Sequence, residues 1–127
     1  MPSQNNSGAQ HQKRLSLTLV ATAVLAASRI IAYDGGYASA AGGVKDAQGV
    51  SESEAAAIGD AISVVVDYSY LVEASAAIAF GDYVKPAIDG TGRAAVGTLI
   101  DHCGRALGAA TVAGQLVEMQ IVKHVHA

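Results

Sequence analysis

Four places in this sequence bring together side chains that could do chemistry. The first is Asp101-His102-Cys103, which holds an acid, an imidazole and the single cysteine. A thiol nucleophile needs a base within hydrogen-bonding reach and a third group orienting that base. Neighbouring residues on a strand point to opposite faces, so three consecutive residues do not converge. A free cysteine is more often a small buried residue, and Cys103 is expected to be one. The second is the pair His124 and His126. On a continuing strand they share one face, and with His102 or His11 they would approach a zinc donor set. No third ligand is fixed by spacing, and the expectation is a chain end without a metal. The third is a scatter of aspartates, Asp60, Asp82, Asp89 and Asp101, which lacks the close oxygen spacing of a calcium loop. The fourth, Asp89-Gly90-Thr91-Gly92-Arg93, lacks the Gly-Lys-Ser/Thr ending of a phosphate loop and reads as a hairpin connection. No convergent acid, base and nucleophile set emerges. The expectation is a protein with no catalytic residues, cofactor or metal.

Bulk composition points the same way. The 127 residues are 51% hydrophobic, 15% charged and 5% aromatic, with net charge −3. A nucleic-acid partner calls for a basic face and, for single strands, stacking platforms. The only basic run is Lys13-Arg14, Trp is absent and Phe occurs once, so no nucleic acid is expected. The apolar fraction is largely Ala and Val, which fill thin layers and gain less from burial than Leu or Phe. Such a chain profits from a partner surface. One cysteine excludes an intrachain disulfide.

Residues 15–28 imitate a signal peptide or membrane segment, with Lys13-Arg14 ahead of an apolar run. Arg29 interrupts that run before the roughly 18–20 residues a span needs. Leu15, Leu17 and Leu19 alternate with Ser16 and Thr18, the period of a half-buried strand. The chain also opens at Met1 with this run intact. A strand is expected here, and no membrane partner. The rival reading takes residues 15–33 as the helix of a membrane-associated or secreted, pilin-like filament subunit.

Short strands separated by glycine turns are expected over 15–20, 22–25, 29–33, 62–68, 70–74, 83–87, 93–96, 104–107 and 116–122. Ile62-Ser63-Val64-Val65-Val66 and the alternating Leu116–Val122 carry the strongest signal. Ser51-Glu52-Ser53-Glu54 has the form of a capping box and predicts a short helix or turn running into Ala55-Ala56-Ala57. The fold class is all-β, a small barrel or sandwich of short antiparallel strands. It forms one domain over 15–127, preceded by an extended arm over 1–14.

A phrase recurs: Ala57-Ile58-Gly59-Asp60, Ala79-Phe80-Gly81-Asp82 and, more loosely, Val112-Ala113-Gly114-Gln115. Glycine supplies positive φ and the polar residue caps the turn. Gly59, Asp60, Gly81, Asp82, Gly90, Gly92 and Gly114 are therefore structural turn positions. The spacings, 22 residues (59 to 81) and 33 (81 to 114), differ, so the phrase reads as a reused turn and not a solenoid period.

The arm is polar throughout. Fully extended, residues 1–13 reach roughly 43–47 Å, enough to cross onto a neighbour. Gln4, Asn5, Asn6, His11, Lys13 and Arg14 are its candidate contact residues, and the strand that follows is expected to reach across with it.

From about Leu17 to Lys123 the chain resembles the phage capsid cement proteins, a family once labelled as a domain of unknown function (DUF2190). The phrases that carry the resemblance run in order. They are Gly49-Val50-Ser51 followed by Ala57–Val64, then Val72–Asp82, then Asp89–Ala94, then Gly104–Ala110 with Ala113–Glu118. The resemblance implies a β-rich decoration domain on the outer capsid surface of a virion. It implies major capsid protein as partner, stabilisation of the shell by clamping neighbouring subunits, and a homotrimer. The arm is longer than that family leads one to expect.

Overall fold

The computed structural model describes residues 15–124 and 126. The arm residues singled out above, Gln4, Asn5, Asn6, His11, Lys13 and Arg14, lie outside them. The described residues form two antiparallel sheets in an all-β sandwich, without a closed barrel. The strands are β1 (Ser16–Val20), β2 (Ile30–Ala32), β3 (Ala47–Ser51), β4 (Ala61–Val65), β5 (Ser69–Glu73), β6 (Tyr83–Pro86), β7 (Ala94–Val96), β8 (Gly104–Ala106) and β9 (Leu116–Ile121).

The first sheet has the order β1-β4-β3-β2 and the second β5-β9-β8-β6-β7. With β7 set aside, the two orders are one topology used twice. The match extends to position. β5 follows β1 by 53 residues (16 to 69), and β9 follows β4 by 55 (61 to 116). Gly49 in β3 and Gly104 in β8 are equivalent, and each is needed for the same reason. A Cβ on Gly49 would lie 2.4 Å from the Val65 carbonyl oxygen, and one on Gly104 would lie 2.4 Å from that of Gln120.

Four turns repeat with the strands. In each, a backbone N–H of the turn donates to a buried small residue, whose own N–H donates back to the next turn carbonyl. Ala21 holds Gly59-Asp60 this way, Ala74 holds Gly114-Gln115, Ala106 holds Gly81-Asp82, and Ser51 holds Ser28-Arg29, all at 2.8–2.9 Å. Gly59, Gly81 and Gly114 have φ of 95°, 87° and 90°, and Ser28 has φ 60°. Asp60 accepts from the N–H groups of Ala56 and Ala57, Asp82 from Ala79, and Gln115 from Thr111 and Val112. Arg29 cannot accept, so the Ala26 N–H turns to the Tyr37 hydroxyl instead, at 2.7 Å. The unequal spacing of the phrase thus has a cause. Gly59 and Gly114 are equivalent, 55 residues apart, while the counterpart of Gly81 is a serine.

Of the short helix or turn expected after Ser51, the structure takes the turn, and three other expectations are corrected. Ser51 ends β3 fully buried, and its hydroxyl donates to the Ala26 carbonyl. Residues 22–25 form a turn that touches Ala55 through one bridge at Leu25. The strand after the arm does not leave the domain, because β1 pairs with β4 from Ser16↔Val65 to Val20↔Ala61. That pairing also overturns the filament helix over 15–33. No helix is long and apolar enough to cross a membrane among the described residues.

The main core lies between the sheets. Ile30, Ala32 and Val50 of the first meet Val72, Val84, Val117 and Met119 of the second, with Ala38, Ala47, Ala74, Ala94, Ala106 and Ala110 filling the thin layer. A second cluster, Leu25, Ile31, Ile62 and Val64, covers the other face of the first sheet. Glu73 at the end of β5 receives Arg29 at 3.3 Å and Arg93 at 3.7 Å, and Arg29 also donates to the Thr91 carbonyl at 2.7 Å. That network ties the two halves to the β6–β7 hairpin. Gly90 and Gly92 take φ of 80° and 70° in its loop. At Gly92 a Cβ would strike the Tyr37 ring at 2.5 Å.

Candidate functional site

The chemistry-bearing groups separate in space, with one exception. Cys103 is 3% exposed, and burial, with the charges of Asp46 and Asp101 adding, pushes its thiol up to about 12. A thiol so held is not a nucleophile at neutral pH. Its sequence neighbours face elsewhere. His102 donates from Nδ1 to the Thr98 carbonyl and stacks at 4.6 Å on Tyr83, while Asp101 pairs with Lys85 at 3.7 Å. Asp89 accepts from the Thr91 N–H and hydroxyl and closes its own hairpin.

The exception is at the end of β9. His124 Nε2 lies 3.2 Å from Asp46 Oδ1, and His126 Nδ1 lies 2.9 Å from Asp46 Oδ2. Asp46 follows a single 3-10 turn, Gly43–Lys45, and leads into β3, where the Ala47 N–H donates to Oδ1 at 2.8 Å. Burial works against charge on Asp46. The contacts of both imidazoles, His126 first, and the backbone N–H groups of Gly42 and Ala47 outweigh it, and its carboxyl titrates below the usual aspartate range. The sequence offered the two histidines as a pair. It offered no signal for Asp46, which lies 78 and 80 residues away along the chain.

Beside this cluster is a cavity of about 260 Å³ between the sheets, lined by Leu17, Ile30, Gly49, Cys103, Met119, Ile121, His124 and others. Gln48 also lines it, and its Oε1 is enclosed with no hydrogen-bond partner among the described residues.

The outer surface carries a different kind of candidate. Large apolar side chains project from the β6–β7 hairpin and the turn after it, namely Ile88 (83% exposed), Val96, Leu99 and Ile100 (86%). β7 closes the edge of the second sheet, paired there with β6 and joined to Ala74 by one parallel bridge at Ala94. Ile58, Phe80 and Val112 project from three of the repeated turns. Contiguous exposed apolar patches mark contact surfaces, and these side chains are the candidates for one.

Comparison with solved structures places this architecture. The N base of the head fibre protein gp8.5 of bacteriophage phi29 matches over 87% of this chain and 98% of its own, at TM-score 0.64 and 24% identity. The chain shares the fold of that fibre base. No protein-family model and no curated protein matches the chain, and its likeness to the cement family stays a resemblance of phrases.

Proposed function

We propose that the chain is a structural protein of a phage head, a small module that docks on the outer shell surface through its major capsid protein and catalyses nothing. The observation that carries this reading is the fold likeness to the phi29 head fibre base over nearly the whole of both chains. The apolar side chains on the β7 edge and the following turn supply a surface to dock. The buried, protonated Cys103 and the dispersed acids agree with a non-catalytic role. The cement-family phrases support a clamp between neighbouring capsid subunits, built as a homotrimer, with the arm over 1–14 reaching to a neighbour.

A fibre base favours a second form of the same reading, in which the domain anchors to the head without strengthening it. Both forms are tested by mixing the purified chain with shells assembled from the major capsid protein of its phage. Co-sedimentation that saturates at a fixed copy number is expected. Replacing Leu99→Asp with Ile100→Asp, or deleting residues 2–13, weakens it while the domain stays folded. A chain that stays in the supernatant contradicts the proposal. A raised shell melting temperature selects the clamp, and an unchanged one selects the anchor.

A further inference from the structure

Asp46, His124 and His126 present one carboxylate oxygen and two imidazole nitrogens within 4.8 Å of one another. Their side chains are only 9%, 14% and 11% exposed. Two elements distant in sequence build the cluster, the start of β3 and the residues after β9.

The hydrogen bonding asks for a cation here. The His124 Nδ1 lies 3.0 Å from the Val122 carbonyl oxygen. A carbonyl only accepts, so Nδ1 carries the hydrogen. In neutral imidazole the other nitrogen, Nε2, then bears a lone pair. That lone pair faces the Asp46 carboxylate at 3.2 Å, an acceptor against an acceptor. Either a second proton or a metal ion between the groups removes the conflict. The carbonyl bond to the remote nitrogen is also the usual support of a metal-bound histidine.

We propose that Asp46, His124 and His126 bind a divalent transition-metal ion of the zinc type. Carboxylate oxygen and imidazole nitrogen suit zinc at about 2.0–2.2 Å, and ligands around such a tetrahedral ion lie about 3.4 Å apart. Closing the cluster from 4.8 Å is a small side-chain movement. Three protein ligands leave a fourth position for water. The ion fastens the chain after β9 to the entry of β3 and so joins the two halves beside the cavity that His124 lines. This inference stands apart from the proposed head association.

Titration calorimetry of the full chain with zinc, after chelator treatment and at about pH 7.5, reads the site directly. One ion per chain with micromolar or tighter affinity is expected, weakening toward about pH 5.5 as protons compete for the histidines. Cobalt in place of zinc gives the intense visible bands of a tetrahedral site. His124→Gln or His126→Gln lowers affinity by about a hundredfold or more. The double variant His11→Gln with His102→Gln keeps both binding and spectrum. Absence of saturable binding by the wild-type chain overturns the proposal. Binding lost in the His11/His102 variant and kept in the other two also overturns it. The wild-type chain alone decides whether the site binds, so a variant that fails to fold does not shelter the claim.

Discussion

Ser28 and Gly81 occupy the same turn in two halves of one molecule, and both have positive φ, at 60° and 87°. Each donates its N–H at 2.8 Å to the small residue that ends the neighbouring strand, Ser51 or Ala106. A serine in the left-handed region costs about 1 kcal/mol, partly offset by the greater unfolded-state freedom of glycine. Ser28→Gly is therefore expected to stabilise the chain by up to about 1 kcal/mol. Gly81→Ser, where an added Cβ meets only Arg105 Nη2 at an ordinary 3.9 Å, is expected to destabilise it by about the same amount. Urea denaturation of both variants checks this. Shifts of equal sign would show that the two turns are not equivalent.

Gly49 and Gly104 make a harsher test of the repeat. Both approach a carbonyl oxygen of the adjacent strand so closely that a methyl group has nowhere to go. Alanine at either position is expected to cost about 2–3 kcal/mol, because backbone must move to admit it. Alanine at Gly59, with nothing within 4 Å, is expected to cost only about 1 kcal/mol, from its φ alone. Thermal melts of the three variants give the ranking.

Cys103 should be silent in the folded protein. Its thiol is buried and titrates near 12, so a disulfide reagent at neutral pH is expected to label it only through unfolding. Adding denaturant should restore full reactivity at once. Rapid labelling of the native chain would show that the core around Met119 and Ala106 opens readily.

Acid sensitivity has a named contributor in Asp34. Burial opposes its charge, but Lys45 at 2.9 Å and the Gly36 N–H at 2.9 Å more than compensate, so its carboxyl titrates below 3.8. A carboxyl depressed by folding contributes stability above its unfolded value and loses it as pH falls through the folded one. Asp34→Asn is expected to destabilise the chain modestly at neutral pH, by up to about 1 kcal/mol for so exposed a pair. The difference from wild type should vanish once pH has fallen through the depressed folded value of Asp34. A difference that persists there would assign the effect to packing.

Much of this architecture is legible in the residues. β-branched runs and alternation mark β1, β4 and β9, and the glycine turns follow from local backbone chemistry. β3 escapes because Ala47-Gln48-Gly49-Val50-Ser51 has no alternation and a glycine at its centre, demanded by a contact with β4 that no local rule foresees. The capping-box pattern at Ser51 yields a turn and no helix, because tertiary burial of the Ser51 hydroxyl overrides it. The fourth copy of the turn is masked because Ser28-Arg29 stands where the other copies have glycine and an acceptor side chain. The Asp46 cluster is half legible. Two histidines at alternate positions are visible, but their carboxylate partner is supplied by the fold.

A domain that sits on a phage head is visible by cryo-electron microscopy of the virion. Density for the two-sheet domain is expected at symmetric positions on the outer surface of the shell, with the Leu99–Ile100 turn facing the capsid. Virions that lack the protein, or that carry it inside the shell, would contradict the proposal.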